Sequence, residues 1–385
     1  MKKFLIVAHY SRFLVQFEMN DVKLLQELGY EVHYATNYEQ EDMYADAPKK
    51  IMDAGVILHQ IDFVRSPYKL KKNVHVYQQL KKLMEEIKFD GVHCHTPMGG
   101  MLTRIAAKVT KIGPVIYTAH GFHFFKGAPL INWLFYYPVE KFLSRWTDLQ
   151  ITINEEDYQI AKNKMHAKKV VLIPGVGVDT KKFLKSVNNR EETRKELGFS
   201  QNDLVLISVG EVNENKNHGV VIEAIAKLKN EKIKYIICGQ GDLEVERKKR
   251  IKELCLANQV KLLGFRSDVK NYLHMSDVFV FPSKREGLAV APLEAMACGL
   301  PLISAEIRGV KDYTIHNKTG YCLQDNTSVE EMAAAIKKMY EDKFYRESCG
   351  SHNQEYVKRY DISKVTEIMK KNYLNISKNN NGVAE

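Results

Sequence analysis

Hydrophobic residues along this chain fall into short continuous runs, separated by longer stretches in which apolar positions recur every three or four residues. The first run, Phe4-Leu-Ile-Val-Ala, is too short for the apolar segment of a leader and has no small-residue cleavage site after it. It predicts a buried strand. Met19 to Leu28 has helical spacing and stops at Gly29. Glu31–Thr36, Gly91–His95, Val115–Ala119 and Leu149–Ile153 predict further strands, with helical stretches between them. Runs apolar at consecutive positions suit a parallel sheet covered on both faces.

The pattern then restarts. Leu204–Gly210, Lys234–Gly239, Val260–Gly264, Val278–Pro282 and Leu302–Ser304 predict a second set of strands. Between the sets lie Ile173-Pro-Gly-Val-Gly-Val-Asp and a polar stretch to Ser200, where periodicity weakens. The expectation is an α/β protein of two Rossmann-like parallel-sheet domains, 1–178 and 179–355. A C-terminal helix over about 356–376 is expected to pack back on the first domain, with a disordered tail at 377–385. Open parallel sheets bind ligands at the carboxyl ends of their strands, so two such edges opposed would make one cleft.

A length of 385 residues agrees with two domains, and no run of eighteen apolar residues predicts a membrane span. The six cysteines are scattered without a C-x-x-C pair, which points to a reduced, cytoplasmic compartment. The net charge of +10 is unevenly spread: residues 61–150 hold 13 Lys and Arg against 6 Asp and Glu. Without an aromatic RNA-binding motif, a zinc finger or a long basic arm, nucleic acid is not the expected partner. Two segments mix basic with apolar or aromatic residues, Lys69–Lys88 and Leu130–Trp146. Each fits either docking on an anionic membrane or a packed helix with snorkelling lysines.

The densest chemistry lies in Phe281-Pro-Ser-Lys-Arg-Glu286-Gly-Leu-Ala-Val-Ala-Pro-Leu-Glu294-Ala-Met-Ala-Cys-Gly. It follows a buried strand, so it starts at a strand carboxyl end. Pro292 suits a first helical turn and Gly299 a helix stop, which predicts a helix starting near Ala291 with Glu294 in its first turn. The free N–H groups of such an end attract phosphate.

Two glutamates separated by seven residues and followed by Ala-Met-Ala-Cys-Gly-Leu-Pro resemble the signature of retaining glycosyltransferases of family 4, over essentially the whole chain. The resemblance implies the GT-B fold, a nucleotide-sugar donor such as a UDP-sugar, and no cofactor or metal. It implies that Glu294 binds ribose hydroxyls, that Glu286 contacts the donor sugar, and that the backbone of Gly287, Leu288, Ala289 and Val290 holds the diphosphate. Lys216 matches the family's phosphate-binding lysine, while the arginine before it is replaced by Glu211; Lys284 and Arg285 are candidates to supply that charge. Gly239 and Gly241 resemble a segment near the nucleotide, and Arg266 is assigned to uracil by position.

In the first half, His120 resembles the family histidine that touches the donor sugar, and His95 and Thr96 are expected in the same cleft. Where the family tends to have Gly-Gly after the first strand, this chain has His9-Tyr-Ser-Arg12-Phe, so Arg12 is the candidate phosphate contact there. Zinc on the many histidines would need a third ligand at proper spacing, which the sequence lacks. Glu286, His120 and Lys216 are therefore the expected catalytic set. The expected acceptor is a polyprenyl-diphosphate-linked glycan, and the expected location is the cytoplasm, peripheral on the inner face of the cell membrane. A sugar-nucleotide 2-epimerase and a non-catalytic nucleotide-sugar binder are the alternative readings.

Overall fold

The structure, a computed structural model, describes residues 1–39, 46–64, 66–184 and 190–381. The chain folds as two units, Met1–Val176 with Ser363–Glu385, and Gly177–Ile362. Each unit is built on one parallel sheet.

In the first unit the strands are β1 (Lys2–Tyr10), β2 (Tyr30–Asn37), β3 (Ile57–Gln60), β4 (Gly91–His95), β5 (Val115–Ala119), β6 (Leu149–Thr152) and β7 (Lys169–Leu172), in the order β3-β2-β1-β4-β5-β6-β7. Phe4 to Ala8 is buried, as a central strand covered on both faces requires. The chain leaves β1 toward β2 on one side and returns to β4 on the other, so the strand order reverses between β1 and β4. That is the crevice in which open sheets place ligands.

The second unit repeats the plan with β8 (Leu204–Val209), β9 (Ile233–Cys238), β10 (Val260–Gly264), β11 (Val278–Phe281), β12 (Leu302–Ala305) and β13 (Gly320–Leu323), ordered β10-β9-β8-β11-β12-β13. Here the reversal falls between β8 and β11. The sequence pattern misses β3, β7 and β13. Each is a four-residue edge strand, paired on one side only, so its apolar signal is short and mixed.

The C-terminal helix begins later and runs longer than its sequence suggests. A 3-10 turn, Val357–Tyr360, precedes it, and the Val178 N–H donates to the Tyr360 carbonyl at 3.0 Å. The helix then spans Ile362–Asn381, so the tail expected to be disordered from 377 is helical to Asn381; residues 382–385 lie outside the described residues. Its anchor on the first unit is Tyr373, whose hydroxyl bonds Asp21 at 2.7 Å and His93 at 2.8 Å while its ring meets Phe4 edge-on.

Candidate functional site

In the second unit, the segments leaving β8 and β11 meet at the reversal point. The Pro282–Ala289 loop is held there largely by asparagines. The Lys284 N–H donates to the Asn215 carbonyl at 2.8 Å, and Asn215 Nδ2 donates to the Arg285 carbonyl at 2.9 Å. Asn326 Nδ2 donates to the Ser283 carbonyl at 2.8 Å, and Asn217 Nδ2 to the Asn326 carbonyl at 2.6 Å. Asn217 stands at φ 56, a left-handed position asparagine tolerates, just before the His218–Leu228 helix. These residues, with Arg308, escape sequence reasoning; an Asn-rich run after a strand is the signal that could have marked them.

This frame brings Lys216 Nζ to 2.7 Å from Glu286 Oε1, with both side chains largely buried, and sets the ammonium 4.8 Å from the Phe281 ring centroid. Asn215 Nδ2 also reaches Glu286 Oε1 at 3.4 Å. From the segment after β12, Arg308 Nε donates to the Glu286 carbonyl at 3.3 Å. Gly309 follows at φ 74, where an added Cβ would sit 1.5 Å from the Gly287 carbonyl oxygen. Backbone thus presses on backbone at the Glu286–Gly287 turn, which only glycine permits.

The helix after this loop starts at Val290, one residue earlier than expected, and ends at Ala297. Pro292 is its third residue and Glu294 its fifth, so Glu294 lies one turn in and not in the first turn. Its carboxylate has no hydrogen-bond partner among the described residues. Burial pushes its pKa from 4.5 up to about 7, against a weaker pull from Lys182. A half-buried carboxyl without a protein partner is poised to accept hydroxyl donors from a ligand.

The other donor-side candidates have defined surroundings. Arg266 forms a two-pronged pair with Asp268, both contacts at 2.9 Å, and stacks over Tyr272. Its side chain is partly exposed but held on Asp268 and Tyr272, so a side-chain contact to a base would have to compete with that pair. Gly239 and Gly241 are needed by the fold itself: added Cβ atoms would sit 1.8 Å from the Gly210 oxygen and 2.4 Å from the Val212 oxygen. Glu211 accepts from Asn213 Nδ2 at 3.0 Å, and its carbonyl faces His218 Nε2 at 3.2 Å. Lys284 pairs with Glu214 at 3.1 Å, whereas the exposed Arg285 is fixed through its backbone.

In the first unit the crevice between β1 and β4 holds a second polar cluster. No glycine loop follows β1. The chain turns directly into helix at Ser11–Phe13, and Arg12 lies over the Tyr10 ring at 5.2 Å. A π-helical stretch, Leu14–Glu18, then widens the helix before it continues as Met19–Glu27. Such insertions re-aim side chains. Here Glu18 is brought inward, with Oε1 3.5 Å from His95 Nδ1 and 3.9 Å from His120 Nε2; the two imidazole nitrogens are 3.2 Å apart.

These three atoms lie within 4.8 Å of one another, a set able to share one divalent cation. The expectation that no third ligand accompanies the histidines is therefore corrected: Glu18 is distant from them in sequence, and the π turn places it. Burial holds the three imidazoles neutral, His93 at about 3, His120 at about 4 and His95 well below its usual value. Burial, and then the neighbouring Asp21 carboxylate, raise Glu18 well above the carboxylate range. Thr96 follows at φ 63 with its hydroxyl buried, and it starts the Pro97–Thr110 helix.

Residues 189–356 match the family model described as glycosyl transferases group 1, and residues 4–154 match the model glycosyl transferase 4-like. EpsD of Bacillus subtilis (strain 168) is 35% identical over 96% of this chain and 95% of its own length. The UDP-Gal:alpha-D-GlcNAc-diphosphoundecaprenol alpha-1,3-galactosyltransferase of Escherichia coli is 31% identical over 77% of this chain and 78% of its own. Among solved structures, Anabaena Alr3699/HepE in complex with UDP and glucose superposes with a TM-score of 0.79 at 18% identity, covering 97% of this chain and 100% of that one.

Proposed function

Because the chain belongs to the group 1 glycosyl transferases and has the GT-B fold of two Rossmann-like domains, we propose that this hexosyltransferase moves a hexose or N-acetylhexosamine from a UDP-sugar to a polyprenyl-diphosphate-linked glycan in exopolysaccharide or capsule assembly. The observation that carries this reading is the Lys216–Glu286 pair at the β8/β11 reversal, with the partnerless Glu294 in the helix that follows. The lipid-linked acceptor is supported by the relative that acts on a diphosphoundecaprenol-linked sugar. Such an acceptor puts the enzyme's work at the inner membrane face.

In this reading Glu294 accepts the ribose hydroxyls. The backbone N–H groups of Gly287, Leu288, Ala289 and Val290, at the start of the Val290–Ala297 helix, face the diphosphate, since a helix N-terminus carries partial positive charge. Lys216 stabilises the charge that grows on the departing UDP, which makes fixed cations more useful than a proton donor. Glu286, held on Lys216, orients the sugar, and the neutral His120 keeps the sugar-contacting role that the family resemblance gives it. No divalent metal is needed for this neutralisation. The acceptor hydroxyl attacks the face the diphosphate leaves, and the leaving phosphate oxygen takes its proton, so configuration is retained.

A thermal-shift screen of sugar nucleotides tests the donor, because a ligand of the folded state raises apparent stability by mass action. UDP-sugars should stabilise the protein, and one of them should transfer its sugar with retention to a polyprenyl-diphosphate acceptor. An inverted product, or stabilisation by another nucleotide alone, would overturn the proposal.

A further inference from the structure

The two basic, apolar segments near the start of the chain turn out to be unlike each other. The Leu70–Ile87 helix packs as a core helix: Val76, Leu80 and Met84 are fully buried, and Tyr77 and Leu83 pack against the same core. The Leu130–Leu143 helix is inside out by comparison.

Its inner face is polar and aromatic, and it is firmly tied down. Asn132 Nδ2 donates to the His123 carbonyl at 2.9 Å, and Trp133 Nε1 to the Phe125 carbonyl at 3.2 Å. Glu140 is buried against Arg104 at 2.8 Å, and the Arg104 guanidinium lies 4.0 Å from the Tyr117 ring centroid. Trp133 and Tyr137 pack on Phe124.

The outer face carries Leu130, Ile131, Leu134, Phe135, Val139 and Phe142, exposed by 80, 56, 70, 65, 43 and 50% respectively. They recur at helical spacing, with no charged residue from Gly127 to Val139. The stripe presents on the order of 600 Å² of apolar surface, above the few hundred that a water-facing monomer surface tolerates. Cations stand at both ends. Lys126 is exposed before the helix, its backbone N–H held by Glu156, and Arg145 lies over the Phe142 ring at 5.7 Å; Lys141 sits over Tyr137.

We propose that this stripe is a docking surface for an anionic lipid bilayer, its apolar side chains entering the acyl boundary while Lys126, Lys141 and Arg145 meet the headgroups. Apolar area together with basic residues is the combination that binds anionic interfaces, and no other helix residue places a carboxylate on that face. A second copy of the chain is the weaker occupant, because a two-fold contact would set the same cations against one another. The proposal deepens the lipid-linked acceptor reading and rests on it for its purpose, but the surface can be tested separately.

The experiment is flotation of the full chain with vesicles of equal phosphatidylglycerol and phosphatidylcholine, and with phosphatidylcholine alone. The parent should float with the anionic vesicles, and Leu134→Glu/Phe135→Glu should bind about tenfold more weakly, with unchanged melting because both side chains face solvent. Absence of flotation by the parent, or equal flotation by the variant, overturns the proposal. So does a parent dimer in solution that the substitution dissolves without any vesicle binding. Donor binding is measured in the same preparations without lipid: vesicle binding without nucleotide-sugar binding would sink the transferase reading and leave the surface standing, and the converse would spare the transferase reading.

Discussion

Replacing Glu294 by Gln should make the free protein more stable at pH 8 and a poorer binder of UDP. Unfolded, the carboxyl titrates near 4.5; folded, burial raises it to about 7. Between those values the folded chain keeps a proton that the unfolded chain has lost. The resulting stability is fully present below pH 4.5 and is lost as pH rises through about 7. That interval corresponds to about 3.4 kcal/mol at most, and partial solvent access reduces the expected share to about 2 kcal/mol. Glutamine has no such dependence. Melting of Glu294→Gln should therefore match the parent near pH 5 and exceed it by about 5 °C at pH 8, for a unit of this size. Binding should move the other way, because an ionised acceptor of ribose hydroxyls is worth about 1.5–3 kcal/mol, or at least tenfold in UDP affinity. Scanning fluorimetry across pH with calorimetric UDP titration reads both. A variant no more stable than the parent at pH 8, or one with unchanged UDP affinity, would refute the reasoning.

Glu286→Ala should leave melting within about 1 kcal/mol, since the Lys216 pair retains some solvent contact, while turnover falls by about a hundredfold or more; a normal turnover number would remove Glu286 from the chemistry. Gly309→Ala should displace the Glu286–Gly287 turn, which its Cβ would strike, costing about 1–3 kcal/mol in melting and most of the donor affinity; a fully active, equally stable variant would show that the turn is not constrained as described. If Lys216 and the start of the Val290–Ala297 helix neutralise the phosphates as proposed, chelation with EDTA should leave the transfer rate unchanged. Activity lost on chelation and restored by a divalent ion would instead direct attention to Glu18, His95 and His120.

Much of the molecule is written locally in the chain. Strands carried by short apolar runs are read from the sequence: the central β4 and β5, and the edge strand β10, are legible to the residue, and the double βα pattern determines the fold class. The glutamate pair with its following helix is likewise local, which is why Glu286 and Glu294 can be picked out before any folding. What the sequence does not determine is how separate segments meet. The depth of Glu294 in its helix depends on where the backbone of Ala289 and Val290 turns helical, and proline at the third position does not announce that. Arg308, Gly309 and the asparagines around the Glu286 loop come from other strand ends, joined only by sheet order. Glu18 reaches His95 and His120 because a π turn shifts its direction, a backbone event with no residue signature of its own. The Leu130–Leu143 helix is the sharpest case. Its composition fits a buried helix as well as an exposed one, because periodicity states which residues share a face and not which face the core takes. The buried Arg104–Glu140 pair and the aromatic contacts of Trp133 and Tyr137 decide that, and they leave the apolar face to the outside.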